Sequence, residues 1–258
     1  MPLVAVLLAL VAVTFFVLPL VGLLQRAPWS DVWDDLSTPA ARDAMKLSLE
    51  CSLWATALSL VFGVPLAYVL ARAQFPGKAL VRALVVLPMV LPPVVGGVAL
   101  LYAFSVNHGL IGGWLHDTFD VQLTFSKSGA VLAETFVAMP FLVITVEAGL
   151  RLMDRRYEDA AASLGANRWT VFRRVTLPLI APSLFAGAAL AWARALGEFG
   201  ATITFAGNIQ GRTQTTPLAV YLLLETQPAA AIALSLVLLA VSIVVLVSLR
   251  DRWFGIGR

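Results

Sequence analysis

The chain has 258 residues, of which 60% are hydrophobic and 13% are charged, whereas soluble domains are about 45–50% apolar and about 25% charged. This composition excludes a soluble globular protein and indicates an all-α integral membrane protein. The single cysteine excludes an internal disulfide and a cysteine-based metal cluster, and the net charge of +3 is less informative than the positions of the Lys and Arg residues.

Apolar segments that are long enough to cross a bilayer recur along the chain, since a helix needs about 20 residues to span about 30 Å of hydrocarbon. Four segments contain at least 21 consecutive uncharged residues, and two further segments carry two charges each. The six predicted spans are about 3–24, 47–71, 83–106, 128–150, 177–206 and 229–249. The loops between them are too short to form a soluble domain, so residues 1–258 are predicted to be a single transmembrane domain.

The first apolar segment is predicted to be a retained helix rather than a signal peptide. It has no basic region before it, and its uncharged run of 22 residues exceeds the roughly 7–15 residues of a signal peptide. We expect this helix to pack outside a core formed by the other five spans.

The third span contains three prolines and two glycines within ten residues, namely Pro88, Pro92, Pro93, Gly96 and Gly97. Proline removes a backbone donor and clashes with the preceding turn, so this helix is predicted to kink or break. Irregular backbone at membrane depth occurs where protein or a water-filled cavity satisfies it. The sequence therefore leaves two interpretations, a packing kink against a neighbouring helix or an element that lines or gates a path.

Carboxylates lie within or at the edges of the spans, at Glu50, Glu134, Glu147 and Glu198. Charges inside a span are costly and are candidates for function, but Glu50 and Glu147 are near span ends, where a side chain can reach the interface. Arg194 and Glu198 are four residues apart and can pair. We favour structural pairing or shaping of a path for these two residues over a proton relay, with Thr202 one turn further along as another path or gate candidate.

The distribution of Lys and Arg predicts the orientation of the chain. Six spans place 72–82, 151–176 and 250–258 on one side, with twelve Lys and Arg residues, and 25–46, 107–127 and 207–228 on the other, with five. Because basic residues are enriched in cytoplasmic loops, both termini are predicted to be cytoplasmic.

The loop over residues 151–178 is predicted to form two short amphipathic helices. Asp154 is a plausible N-cap for a helix through Leu164, and Gly165 suits the left-handed position that follows a helix. Asn167 can cap a second helix on which Trp169 and Phe172 share a face. The apolar faces could be covered by the bilayer interface, by the protein's own helix ends or by a groove on a partner protein.

The same loop contains Asp159-Ala160-Ala161, three residues, Gly165, nine residues and then Val175-Thr176-Leu177-Pro178. This pattern resembles the EAA loop of ABC-importer permeases, in which E-A-A, three residues, G, nine residues and I-x-L-P follow one another. Asp159 replaces the family's Glu, although Glu158 is adjacent, and Val175 replaces Ile. The resemblance implies a helix that couples to a cytoplasmic ATPase, with the coupling residues Glu158, Asp159, Ala160, Ala161, Leu164 and Gly165.

The stretch from Arg194 to Asn208, followed by Gly211 to Thr215 and Pro217 to Tyr221, resembles the molybdate-type branch of these permeases, and the third span fits that branch as well. Sulfate and tungstate permeases are related, so the resemblance implies a tetrahedral oxyanion as substrate, with molybdate the leading choice. An ion-coupled secondary transporter is the alternative from another class, although no internal repeat supports it.

The resemblance also implies the partners and the fold. It implies the six-helix ABC-importer permease fold in the cytoplasmic membrane, a homodimer with the path between two copies, two ATP-binding subunits at the coupling loops and an external oxyanion-binding protein. ATP and magnesium would bind to the partner ATPase, because this chain has no G-x-x-x-x-G-K-[ST] motif. No cofactor, catalytic residue or nucleic-acid partner is expected for this chain, which is predicted to be a transport subunit rather than an enzyme.

A metal site is not expected in this sequence. His108 and His116 are separated by seven residues, which is not a recognised spacing of metal ligands. A high-affinity anion site is also not expected, since a carboxylate in the path repels an oxyanion and Glu198 offsets the charge of Arg194.

Overall fold

The computed structural model describes residues 3–253, with side chains described as far as residue 248. All regular structure in that range is helical. The helices are α1 (Leu3–Gln25), α2 (Val32–Ser37), α3 (Pro39–Arg72), α4 (Lys78–Val90), α5 (Pro93–Phe104), α6 (Gly112–Phe119), α7 (Lys127–Leu152), α8 (Arg156–Ser163), α9 (Arg168–Val171), α10 (Leu177–Leu179), α11 (Ala181–Leu196), α12 (Gly200–Phe205), α13 (Thr216–Thr226) and α14 (Pro228–Trp253). A π-helical turn, Phe172–Thr176, joins α9 to α10.

Four of these helices are long and apolar enough to cross a membrane, namely Leu3–Gln25, Pro39–Arg72, Lys127–Leu152 and Pro228–Ser248. A fifth span results if Arg168–Leu179 and Ala181–Leu196, which meet at a bend of 71°, are counted together. By length and composition the described residues therefore contain four or five candidate spans. The predicted third and fifth spans are broken helices rather than continuous ones.

The break in the third span lies where the proline pattern predicts one. α4 ends at Val90, Leu91 is extended with φ −69° and ψ 134°, and α5 begins at Pro93. A residue before proline is driven out of the helical region by the proline ring, and here two prolines follow Leu91. The third span is consequently divided into helices of 13 and 12 residues.

The core is built around α3, α7 and α11. Small residues on these helices are fully buried and allow their backbones to approach closely, as in other membrane helix pairs, and they include Ala55, Ala67, Ala138, Ala191 and Ala195. Larger buried residues such as Leu70, Leu142 and Leu150 fill the remaining space. α3 has 34 residues and is about 50 Å long at ~1.5 Å per residue, so it extends well beyond the hydrocarbon layer. Thr38 caps its start by accepting a hydrogen bond from the Ala41 N–H.

α1 lies outside this core. None of its residues is buried, and its packing contact is with α14. Its position agrees with the prediction that the first span packs outside the other helices.

The second half of the broken third span, α5, crosses α12 with almost no side chain between the two backbones. A Cβ atom added at Gly97 would lie 2.9 Å from the Ala201 carbonyl oxygen and 2.6 Å from the Thr204 Cβ. On the opposite helix, a Cβ added at Gly200 would lie 2.8 Å from the Pro93 Cβ. These glycines are what permits the close crossing, and the crossing holds the broken third span against the fifth.

Replacement of Gly97 by valine should therefore destabilise the protein by about 1–3 kcal/mol, because the added side chain has no space in a packed contact. The measurement is the thermal unfolding of the purified chain in detergent. Gly22→Val on α1 is the matched control, since a Cβ there meets nothing within 4 Å. Equal unfolding temperatures for the two variants would show that the α5–α12 crossing is not a tight contact.

Candidate coupling loop and translocation path

The prolines and glycines of the third span that are predicted to line or gate a path are partly buried and partly exposed. Pro88, Gly96 and Gly97 are buried, whereas Pro92 and Pro93 at the break are exposed in the isolated chain. The backbone at the break remains hydrogen-bonded, because the Leu91 N–H donates to the Leu87 carbonyl and the Gly96 N–H donates to the Pro92 carbonyl. These hydrogen bonds hold the chain on both sides of the break, whose proline corner faces outward.

Arg194 and Glu198 form an ion pair at the second break, between α11 and α12. Arg194 Nη2 lies 2.6 Å from Glu198 Oε2, and the Glu198 side chain is only 1% exposed. The other carboxylate oxygen accepts a hydrogen bond of 2.7 Å from the Ala201 N–H, one of the N–H groups at the start of α12 that has no partner within that helix. Glu198 therefore neutralises Arg194 and caps α12, which favours the structural pairing over a proton relay.

Two polar residues beside this pair lack some of their hydrogen bonds. Glu134 on α7 is 1% exposed and is close enough to Glu198 for electrostatic repulsion. Glu134 Oε2 and Thr202 Oγ1 have no hydrogen-bond partner among the described residues. Buried polar groups normally have hydrogen-bond partners, so this region contains polar atoms that could still form hydrogen bonds. Sequence reasoning counted Glu134 among the span carboxylates but did not include it with the path candidates.

A second buried polar region lies in the segment between α12 and α13. Thr213, Thr215 and Thr216 are almost fully buried, and the Thr216 N–H donates to Ser48 Oγ on α3 over 2.6 Å. The sequence signal for these residues was the stretch from Gly211 to Thr215, which was recognised as a family resemblance but not as a buried site. The backbone N–H of Thr216 thus attaches this segment to α3 through the Ser48 hydroxyl.

The coupling loop has the predicted local geometry, with slightly different helix bounds. α8 runs from Arg156 to Ser163, and the Asp154 carboxylate accepts a hydrogen bond from the Arg156 N–H. Gly165 adopts φ +86°, and the following Ala166 N–H donates back to the Ala161 carbonyl, as in helix ends closed by a left-handed glycine. The helix is two residues shorter than predicted, because it begins one residue later, with Arg155 and not Asp154 as its N-cap, and ends one residue earlier, with Leu164 as its C-cap.

The second short helix is also capped as predicted, because the Asn167 side chain accepts a hydrogen bond of 2.8 Å from the Thr170 N–H. The ring of Trp169 stacks on that of Phe172 at 5.8 Å, and Phe172 packs edge-on against Tyr68 of α3 at 5.4 Å. These ring contacts attach the loop to the cytoplasmic end predicted for α3.

Glu158 connects α8 to the transmembrane core. Its carboxylate lies 3.2 Å from Arg72 Nη2 in the last turn of α3 and accepts a hydrogen bond of 2.7 Å from the buried hydroxyl of Thr176. Sequence reasoning placed Glu158 in the coupling motif as a neighbour of Asp159. In the structure the two side chains have different environments, since Asp159 is exposed and Glu158 is directed toward the core.

The outer surface of the coupling loop is apolar and uncovered in the isolated chain. Leu164 is 90% exposed and Trp169 is 68% exposed. Ala160 and Gly165 lie on the exposed part of the loop, and Ala161 is half-buried. Burial of such side chains is favourable by about 1.5–3 kcal/mol each, so the surface is suited to contact with another molecule.

The two histidines are not brought together with metal-binding partners. His116 has one carboxylate neighbour, Asp120, at 3.9 Å. Across the described part of the chain, no group of three or more His, Cys, Asp or Glu side chains is arranged to hold a metal ion.

Residues 63–255 match the family described as binding-protein-dependent transport system inner membrane component. The chain belongs to this family. It is 46% identical over 244 residues to the molybdenum transport system permease protein ModB of Mycobacterium tuberculosis, with 95% of this chain and 92% of the relative covered. It is 40% identical over 240 residues to the sulfate transport system permease protein CysT of Escherichia coli, with 93% and 86% covered.

The fold agrees with that of a solved transporter. The structure of a bacterial ABC transporter involved in the import of the acidic polysaccharide alginate superposes with a TM-score of 0.74 at 20% identity, covering 99% of this chain and 96% of that chain. The chain therefore has the permease fold of ABC transporters. Members of this family are inner-membrane transport subunits, so the chain is a transport subunit and not an enzyme.

Removal of the positive partner from the buried ion pair should be strongly destabilising. Arg194→Gln leaves the Glu198 carboxylate buried and unpaired, which typically costs about 3–5 kcal/mol. The double variant Arg194→Gln with Glu198→Gln should be more stable than Arg194→Gln alone, because it leaves no lone charge. Thermal unfolding of the purified variants measures the difference.

The pair between Lys127 and Glu50 provides the matched control. Its side chains are 48% and 37% exposed, so Lys127→Gln should change the stability by less than about 1 kcal/mol. If Arg194→Gln were as mild as Lys127→Gln, the buried pair would not be what holds the α11–α12 junction.

Proposed function

We propose that this chain is the permease subunit of an ATP-driven importer that moves a tetrahedral oxyanion across the cytoplasmic membrane. Molybdate is the first candidate for this substrate. The observation that carries the proposal is the 46% identity to a molybdenum transport permease over almost the full length of both chains. The 40% identity to a sulfate permease makes sulfate the second candidate. The ion-coupled alternative is set aside, because the family's transport systems depend on a binding protein.

The assembly that we propose has two copies of this chain with the path between them, two ATP-binding subunits below the coupling loops and an external oxyanion-binding protein. Each copy has six spans and cytoplasmic termini, with α4 and α5 together forming the third span. The exposed apolar surface of the coupling loop supports this assembly, because it supplies the kind of contact that a helix-in-groove partner buries. ATP and magnesium are held by the partner ATPase.

The mechanism that we propose is alternating access, in which closure of the ATPase pair draws the two coupling loops together. Glu158 joins α8 to α3 through Arg72 and to the base of the fifth span through Thr176. A displacement of α8 is therefore passed to the two spans as a rigid movement. The proline corner at Pro92 and the α5–α12 crossing then move with those spans and open or close the path.

Selection among oxyanions is proposed to lie mainly in the external binding protein. A protein site for a tetrahedral anion uses several converging donors, such as arginines or helix N-termini. The cation near the proposed path, Arg194, is already paired with Glu198 at 2.6 Å. The permease thus supplies a gated passage with weak attraction for the anion.

Transport by the reconstituted complex tests this function. Vesicles that contain the permease, its ATPase and its binding protein should take up molybdate only when ATP and the binding protein are both present. The permease alone should show no saturable anion binding below the millimolar range by calorimetry, corresponding to less than about 4 kcal/mol. Uptake without the binding protein, or micromolar anion binding to the permease, would contradict the proposal.

Substitutions in the coupling loop should separate insertion from transport. Gly165→Val forces a branched residue to φ +86°, and Ala161→Asp places a charge on the predicted docking face, so each should abolish ATP-dependent uptake while leaving membrane insertion intact. Gly77→Val is the matched control, because Gly77 has φ +84° and open space around it but lies outside the loop. Full uptake by a Gly165→Val complex that retains its ATPase would refute the coupling role.

A further inference from the structure

An open pocket of about 590 Å³ lies beside the coupling loop and has no role in the proposed mechanism. It is formed where the end of α3, the start of α4 and the end of α7 meet. Five of its lining residues are basic, and no lining residue is acidic; the basic residues are Arg72, Lys78, Arg82, Arg151 and Arg155. Such a concentration of one charge at a single pocket indicates an anionic ligand.

Two carboxylates pair with basic residues that line the pocket, and they neutralise only part of its charge. Glu147 is paired with both Arg82 and Arg151, and Glu158 is paired with Arg72. Two negative charges therefore face five positive ones. Lys78 and Arg155 have no ion-pair partner among the residues whose side chains are described.

The ammonium group of Lys78 also has donors that remain available. Lys78 Nζ donates one hydrogen bond, to the Ala73 carbonyl at 2.7 Å, out of the three that an ammonium group can make. Guanidinium groups match the oxygens of phosphate with two parallel donors, and a lysine adds a point charge. The chemistry of the pocket thus fits a phosphate-type oxyanion.

Exposed apolar rows lead from this pocket along two helices into the membrane region. On α4, Ala79 lines the pocket, and the exposed residues Ala83 and Leu87 follow on the same face at helical spacing. On α7, exposed Ile144 and Ala148 precede the pocket residue Arg151 on one face. α4 packs against α7, and both apolar rows begin at the basic pocket and run away from it.

We infer that this pocket binds the phosphate headgroup of an anionic phospholipid of the inner leaflet, with the acyl chains against the apolar rows of α4 and α7. A free phosphate would use the basic residues but would leave the apolar rows without a role. The inference rests on the proposed orientation, in which the ends of α3 and α7 are cytoplasmic. A reporter fused within 155–170 tests that orientation separately, and an external reporter would refute it whatever the lipid result.

The experiment measures the retention of phosphatidylglycerol against phosphatidylcholine by the purified complex, using native mass spectrometry over a titration of each lipid. The wild-type complex should prefer phosphatidylglycerol. Lys78→Gln with Arg155→Gln should weaken phosphatidylglycerol binding about 30-fold, equivalent to ~2 kcal/mol for two basic groups near the surface, and leave phosphatidylcholine unchanged. These two residues are chosen because neither takes part in the ion pairs that hold the helices together.

Arg173→Gln with Arg174→Gln is the matched control, since it removes the same charge from exposed residues of the 151–178 loop that lie outside the pocket. If this control lost as much phosphatidylglycerol binding as the Lys78 and Arg155 double variant, the effect would come from the general charge of the surface. That result would overturn the inference. No lipid preference in the wild-type complex would overturn it without any variant, so a variant that fails to fold does not leave the question open.

Two further arms identify other occupants. The first arm is calorimetry with inorganic phosphate on complex reconstituted in phosphatidylcholine alone, which should show no micromolar binding. If phosphate bound and the Lys78 and Arg155 double variant abolished that binding, the pocket would be assigned to a free oxyanion instead. Co-purification of the ATPase should be unchanged in the double variant. Loss of the ATPase with unchanged lipid retention would make the pocket a docking surface and overturn the lipid assignment.

Discussion

Within the coupling loop, α8 is linked to the membrane helices through one carboxylate. Glu158 lies between Arg72 of α3 and Thr176 at the base of the fifth span, and all three side chains are largely shielded from solvent. A charge-assisted contact in such surroundings is stronger than one in water. Because α8 itself has only eight residues, it is too short to be stable alone and depends on this contact for its position. The exposed apolar surface of the loop is then held in a fixed position, where the proposed partner can bind it.

The membrane part of the chain follows a related rule, which is that each interruption of a helix must be compensated locally. At Pro92 the N–H groups of Leu91 and Gly96 remain hydrogen-bonded, and at the α11–α12 junction Glu198 supplies the acceptor that the backbone lacks. Gly97 and Gly200 then bring the two broken spans into direct backbone contact. A bilayer tolerates irregular backbone only under such conditions. The two breaks are thereby placed side by side, as the proposed gating movement requires.

Sequence patterns predicted the features that depend on local chemistry. These features are the left-handed conformation of Gly165, the Asn167 cap, the break before Pro93 and the pairing of Arg194 with Glu198. The residues that form any one of them lie within four positions of each other in the sequence. The role of Glu158 could not be predicted in this way, because its partner Arg72 comes from a distant part of the sequence. For the same reason the attachment of Thr216 to Ser48 was missed. The breaks in the fifth span were also missed, although Glu198 and Ala201 at the α11–α12 break are only three residues apart. The family resemblance added the function class, which periodicity and composition alone left open.

We propose that α8 and the end of α3 move as one body when ATP binds to the partner ATPase. Spin labels at Ser163→Cys and Gln74→Cys, in a chain with Cys51→Ala, allow the distance between the two elements to be measured by pulsed electron paramagnetic resonance in complexes with one labelled copy. The account predicts the same distance with and without ATP, while labels at Ser163→Cys in both copies move closer together when ATP binds. A change in the distance between α8 and α3 within one copy during the ATP cycle would contradict it.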